Sequence, residues 1–275
     1  MPRPRVSVIV AVHDGEALLP ECLQSLWRQT FDDFEIVVVD DGSEDGTWRY
    51  LSGVRDDRLH AIRSPRNEGC SAARNRAAGE ARGEYLAVLD ADDLALPDRL
   101  ATQVRFLDAH PDHGIVGSFF ELRSELGSAD MARRPETDPD IRRSVCLGVP
   151  FLHSAVMMRA AAFREAGGYE PDFTHGEDYR LFARILARHR GANIPRVLAV
   201  KRETRQGLTF RLSAFDHFAM GLRNRLYVAR RLDRTIRGYA CAALGALAIP
   251  VIRKLGLNRE TLRRLTGAGG AAGTT

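Results

Sequence analysis

Short β-branched runs alternate with helix-spaced apolar residues along the first 120 positions. Val6-Ser-Val-Ile-Val-Ala-Val12 has the pattern of a buried strand. Glu16–Gln29 follows, with Leu18, Leu19, Cys22, Leu23, Leu26 and Trp27 at helical spacing. Phe34–Val39 predicts a second buried strand, ended by Asp40-Asp41-Gly42-Ser43. Asp45–Leu51 starts another helix, with Ser43 or Asp45 as N-cap. Leu59–Arg63 is a weaker third strand, and Ser71–Ala81 an Ala-rich helix. Gly83–Leu89 is a clear strand that runs into Asp90-Ala-Asp-Asp93. Pro97 marks the first turn of a helix that continues to about Ala109, and Ile115–Leu122 is a further strand. This alternation predicts an α/β fold with helices on a mostly parallel sheet.

Ligands of open sheets bind beyond the carboxyl ends of the strands. Three predicted strands end there in acids: His13-Asp14, Asp40-Asp41 and Asp90-Ala-Asp-Asp93. An Asp near a Gly makes turns and caps, which accounts for one such place. Three on one predicted edge point to a ligand site. The place of a dinucleotide-binding G-x-G-x-x-G holds His13-Asp-Gly-Glu-Ala instead, and neither a Walker A loop nor a G-x-S-x-G elbow occurs. An acidic pocket accepts a phosphate only with a divalent cation between them. Mg2+ typically takes one or two carboxylates plus substrate phosphates, and a D-x-D after a strand suits that use. Such a metal would neutralise charge on a departing diphosphate.

Composition changes the picture mainly at the carboxyl end. The 275 residues are 44% apolar and 28% charged, as in a soluble globular protein. The four cysteines stand far apart, without metal-ligand spacing or a disulfide framework, which predicts reduced thiols in a cytoplasmic protein. Met1–Arg5 lead straight into the first strand, so no secretory signal is expected. Residues 201–275 carry 15 basic and 4 acidic side chains, net +11, against −7 for residues 1–200. Phe215, Phe218, Leu222, Leu226 and Ala229 recur at helical spacing among arginines. Tyr239–Ile252 is apolar over 14 residues, short of the ~20 that cross a bilayer. This segment suits a peripheral contact with the inner face of a membrane, and equally a seat on the main domain or on a homodimer partner. The small residues 267–275 predict a disordered tail.

Six segments, in order, resemble the inverting family 2 glycosyltransferases, which have the GT-A nucleotide-sugar fold. They are Val6–Asp14, Leu23–Thr30, Glu35–Thr47, Asn67–Asn75, Gly83–Asp93 and Gly168–Tyr179. The resemblance implies a catalytic domain over 1–210, with a nucleotide-binding half over about 1–120 and an acceptor half over about 121–210. A basic helical extension over 211–266 would follow. The implied reaction is metal-dependent, inverting transfer from a nucleoside-diphosphate sugar, foremost a UDP-sugar, to an acceptor hydroxyl. The cation would be Mn2+ or Mg2+. The acceptor would be a carbohydrate or lipid-linked molecule in cell-surface polysaccharide or glycolipid synthesis.

The resemblance also assigns positions. Asp41, with Asp40 beside it, binds the base or ribose. Ala11 and His13 line the base pocket, although His13 replaces an aromatic residue common there. Arg74 touches the nucleotide, Asp90 lies by the ribose, Asp92 ligates the metal, and Asp178 is the catalytic base. His153, Glu177 and Arg202 are further candidates near diphosphate or acceptor. Thr204 stands where relatives often carry a His.

Chemistry supports Asp178 separately. An acceptor hydroxyl must lose its proton as it attacks, so a carboxylate has to face it. Glu177-Asp178 begins an amphipathic run with Leu181, Phe182, Ile185 and Leu186, which places the pair at a helix N-terminus, where acids also favour the macrodipole. Two rival functions fit less well. A sugar nucleotidyltransferase needs a Gly-rich basic loop after the first strand, where His13-Asp-Gly-Glu-Ala-Leu stands. A nucleic-acid-binding protein would interleave exposed aromatics with its basic residues, whereas Phe215 and Phe218 form one stripe, so no nucleic-acid partner is expected.

Overall fold

A computed structural model describes residues 3–124, 129–171, 176–203, 214–232 and 239–240. The amino-terminal part alternates as the hydrophobic pattern predicts: β1 (Val6–Val12), α1 (Leu19–Trp27), β2 (Phe34–Asp40), α2 (Thr47–Gly53), β3 (Leu59–Arg63), α3 (Cys70–Glu80) and β4 (Tyr85–Val88). There follow β5 (Leu94–Ala95), α4 (Arg99–Ala109), β6 (His113–Ser124), β7 (Ala129–Ala132) and α5 (Asp138–Ser144). A single 3₁₀ turn (His153–Ala155) leads to β8 (Met157–Arg159), α6 (Ala160–Glu165), α7 (Glu177–Leu186), β9 (Arg190–Glu203) and α8 (Ala214–Leu232).

The strands form one sheet in the order β3-β2-β1-β4-β8-β6-β9-β5, with β7 on β6. β1 lies parallel to β2 and β4, and β2 parallel to β3. β8 is antiparallel to both β4 and β6, and β6 is parallel to β9. The long strands therefore share one direction, and the reversals fall on the short β5, β7 and β8. The apolar run Pro150–Met158 is strand only from Met157, so His153 stands in a turn and not on a strand.

Successive residues of a strand face opposite ways, and β1 shows the result. Val6, Val8 and Val10 join Leu19, Leu23 and Leu26 of α1 and Leu100, Val104 and Leu107 of α4 on one face. Ile9 meets Ala73 and Ala77 of α3 and Leu181 and Phe182 of α7 on the other. Both faces are covered, which is why the central strands read as continuous apolar runs.

The basic helix packs on its own domain. Val228 and Ala229 of α8 join Tyr179 and Ala183 of α7 and Val145 and Cys146 beyond α5 in one cluster. One side of α8 is thus seated on the main domain. Nearly all of Tyr239–Ile252, and residues 267–275, lie outside the described residues. No described helix is long and apolar enough to cross a membrane.

β4 enters the sheet through a close approach at Gly83. A Cβ there would come within 2.5 Å of the Ser7 amide nitrogen and 2.8 Å of the Val6 carbonyl carbon. The Gly83 amide donates to Ser7 Oγ at 2.8 Å, and that hydroxyl donates to Glu35 Oε1 at 2.6 Å. Gly83→Ala should therefore destabilise the protein by about 1–3 kcal/mol. Urea denaturation checks this, and a loss near zero would mean that β4 can shift without cost.

Candidate active site

Parallel pairing brings the ends of β1, β2 and β4 to one edge, and the acids follow. The Asp41 amide donates to Val12 O at 2.8 Å, which ties the end of β2 to that of β1. Asp40 is fully buried, and its Oδ1 accepts from the Ser43 amide at 3.0 Å. Asp40 Oδ2 lies 3.5 Å from Arg63 Nε. Asp41 accepts from the Glu68 amide at 3.0 Å and the Gly69 amide at 2.8 Å, which draws the start of α3 against β2. His13 is exposed, with Nδ1 3.0 Å from Asp41 O, and Ala11 is half-buried beside it. Asp14 adopts φ +51°, a conformation that Asp tolerates, and accepts from the Glu44 amide. Turn-making and convergence thus coexist in these residues.

Arg74, in the first turns of α3, joins the two halves of the site. Its guanidinium donates to Asp90 Oδ1 at 2.8 Å and to Glu177 Oε1 at 2.7 Å. The Tyr169 ring centroid lies 5.7 Å away. Asp90 Oδ2 accepts from Ser154 Oγ at 2.8 Å, and His153 Nδ1 lies 3.0 Å from Oδ1. Burial works against the Asp90 carboxylate, yet His153 and Arg74 hold it well below the usual range. His153 Nε2 is 2.9 Å from Tyr169 OH, whose proton burial retains. A carboxylate only accepts, so Nδ1 carries a proton towards Asp90. Both ring nitrogens of His153 thus have protein partners. The sequence assigns Arg74, Asp90 and His153 to a nucleotide or diphosphate, and the structure binds the three to one another.

Asp90, Asp92 and Asp93 each offer one carboxylate oxygen within 4.8 Å of the others. Burial and then the neighbouring Asp90 push the Asp92 carboxyl up. Asp93 is fully buried, which drives its pKa to about 6 against the pull of Lys201. Lys201 Nζ stands 3.4 Å from Asp93 Oδ2, and the Arg202 amide donates to Oδ1 at 2.9 Å. Arg202 also donates to Asp92 O and, at 2.5 Å, to Glu21 Oε2 of α1. Sequence reasoning names Asp92 alone as metal ligand and passes over Asp93 and Lys201. A signal existed for the latter, since Lys201 is one of only two lysines among 40 basic residues.

The acid pair on α7 follows a left-handed Gly176, φ +77°. Glu177 turns to Arg74, and Cys70 Sγ lies 3.7 Å from its Oε1. Half-buried Asp178 accepts at Oδ1 from the Tyr179 amide at 2.7 Å. Burial first, then Glu177 beside it, raises the Asp178 carboxyl. Among the described residues, Asp178 Oδ2 has no hydrogen-bond partner. One side of the site can therefore hold a cation, and the other can take a proton.

Residues 7–167 match the model of Glycosyl transferase family 2. The chain is 31% identical over 250 residues to EpsE of Bacillus subtilis (strain 168), across 84% of this chain and 89% of that protein. It is 30% identical over 197 residues to the amylovoran biosynthesis glycosyltransferase AmsE of Erwinia amylovora, across 70% and 74% of the two chains. Among solved structures, S. aureus TarS 1-349 in complex with UDP-GlcNAc has a TM-score of 0.68 at 21% identity, across 95% of this chain and 75% of that one. The mannosyltransferase PcManGT from Pyrobaculum calidifontis, in complex with GDP-Man and Mn2+, has a TM-score of 0.61 at 23% identity, across 97% and 80%.

Removing Arg74 would leave two carboxylates facing each other away from water. Arg74→Met should cost about 3–5 kcal/mol, since breaking one partner of a buried pair strands the others. The stabilisation of Asp90 depends on its carboxylate, whose folded pKa lies below the unfolded ~3.9. It is present above that value and is lost as pH falls through the folded one. The gap between wild type and Arg74→Met in urea should thus be widest near neutrality and narrow in acid. A gap that is constant with pH would show that charge plays no part.

Proposed function

Because the chain belongs to glycosyl transferase family 2 and is a glycosyltransferase, we propose that it works by metal-dependent, inverting transfer from a nucleoside-diphosphate sugar to an acceptor hydroxyl. The observation that carries the reading is the single buried site in which Arg74 ties the Asp90–Asp93 cluster to the acid pair on α7.

The three aspartates fit a hard divalent cation. Their oxygens converge, oxygen donors are what Mn2+ and Mg2+ take, and Asp92 is crowded by Asp90 in a way that a cation would relieve. Asp90 and Asp93 already hold Arg74, His153 and Lys201, so Asp92 is the principal ligand. When bound, the metal would neutralise charge on the leaving diphosphate. Asp178 takes the acceptor's proton at Oδ2. The acceptor oxygen forms its bond to the anomeric carbon as the bond to diphosphate breaks, and that electron pair leaves with the diphosphate. A carboxyl raised towards neutral pH is the stronger base for this step, worth ~10²–10⁴ in rate.

Ala11, His13 and Asp41 form the wall for base and ribose at the ends of β1 and β2, and Asp40, which has no exposed surface, supports that wall from behind instead of touching the donor. A UDP-sugar is the proposed donor, supported by the UDP-GlcNAc complex of TarS, although PcManGT carries GDP-Man. A carbohydrate or lipid-linked acceptor in polysaccharide synthesis is supported by AmsE and by the succinoglycan biosynthesis protein ExoO of Rhizobium meliloti. Arg223, Arg230 and Arg231 are exposed on α8 and suit an anionic membrane surface at ~1 kcal/mol each.

Two measurements test this. EDTA should abolish turnover of a nucleoside-diphosphate sugar, Mn2+ should restore it, and Asp92→Asn should lower turnover while weakening the response to Mn2+. Full activity in EDTA would overturn the metal assignment. Asp178→Asn should leave nucleotide binding within threefold of wild type and cut transfer by ~10² or more. Transfer within threefold would remove Asp178 as the base.

A further inference from the structure

α8 stands against the helix that carries the proposed base, and the contact is polar at its centre. Arg180 is one helical turn beyond Glu177 and only 5% exposed. Its Nε donates to Asn224 Oδ1 of α8 at 2.8 Å, and its Nη1 donates to Glu170 Oε2 at 2.8 Å. The Arg180 guanidinium also lies 4.4 Å from the ring centroid of Tyr227, whose hydroxyl is 3.2 Å from Glu170 Oε1. Asn224, itself 5% exposed, does more than accept from Arg180. A Cβ built on Gly176 would fall 2.2 Å from Asn224 Nδ2. The amide therefore rests directly on the Cα of the left-handed residue from which α7 departs.

We propose that Asn224 is a positioning residue for the transferase reaction. Oriented by Arg180, it holds the Gly176 turn and so fixes the first turn of α7, where Glu177 meets Arg74 and Asp178 faces the acceptor. The inference rests on the reading of Asp178 as the base. Three features carry it. The turn has a left-handed backbone conformation that glycine adopts at no steric cost. The three atoms nearest to the space over its Cα, among the described residues, all belong to Asn224. That side chain is oriented by a buried guanidinium on the same helix as the acids. α8 is thereby part of the catalytic apparatus, although its described residues contribute no group to the site.

The test uses the full chain and, as probe, hydrolysis of whichever of UDP-glucose, UDP-GlcNAc or GDP-mannose the wild type turns over fastest with Mn2+. Asn224→Ala should lower kcat at least tenfold, leave the Kd for UDP within threefold, and move the acid limb of the kcat–pH profile by half a unit or more. Asn224→Asp, which keeps the acceptor for Arg180, should recover kcat to within threefold of wild type. Wild-type kcat and pH profile in a folded, UDP-binding Asn224→Ala would overturn the proposal, as would an Asn224→Asp no better than Ala. If Asn224→Ala does not fold, Asn224→Ser takes its place under the same criteria. Gly176→Ala separates the contact from the chemistry. It should lower Tm less in the Asn224→Ala or Asn224→Ser background than in wild type, and equal drops would refute the contact. Asp178→Asn is measured alongside. If that variant keeps its turnover, the base assignment has failed, and the paired Tm values still judge whether Asn224 holds the turn.

Discussion

One buried cation decides how this site is built. Arg74 reaches two carboxylates that are 87 positions apart in the chain, Asp90 at the end of β4 and Glu177 at the start of α7. Removing a charge from water is costly without a partner, and Arg74 supplies one to both acids. The pairing therefore obliges α3, the β4 loop and α7 to meet. The remaining partners fit around it: Ser154 and His153 complete Asp90, and Tyr169 completes His153. Lys201 plays the corresponding part for Asp93 on the other side of the aspartate loop.

A second buried cation supports that loop from behind. Arg99 is fully buried and donates to Val88 O at 2.7 Å and Val156 O at 3.1 Å, which fastens the end of β4 to the approach of β8. Burial pulls its pKa down to about 10, so it stays charged at neutral pH. The aspartate cluster thus lies in a positive field from the protein interior as well as from Lys201. That field offsets part of the repulsion among the three carboxylates.

Much of this is legible in the chain, for physical reasons that also explain what is not. The parallel strands β1, β2 and β4 are buried on both faces, so their apolar runs stand out. β5, β7 and β8 span two, four and three residues and leave no period to detect. His153 sits in an apolar stretch, and a single turn inside such a stretch looks like strand. Asp92 and Asp178 can be named because motif and chemistry agree on them. Asp93 and Lys201 depend on a pairing across 108 positions, and Asn224 on a contact with a helix that starts 47 residues earlier. Such pairings have no local pattern. The acids at Asp40 and Asp41 show a different limit: a residue that caps a loop through backbone amides and one that faces a ligand have the same sequence signature.

The three-residue β8 has a mechanical consequence. It is laddered to β4 on one side and to β6 on the other, so β1–β4 and the strands β6 and β9 belong to one continuous lattice. Met157 and Met158 are fully buried within it. A rotation of one half against the other would have to break that ladder and wet those side chains. The ladder thus resists such a rotation. The aspartate loop and the acids of α7 are accordingly carried by elements that share one continuous sheet and its core.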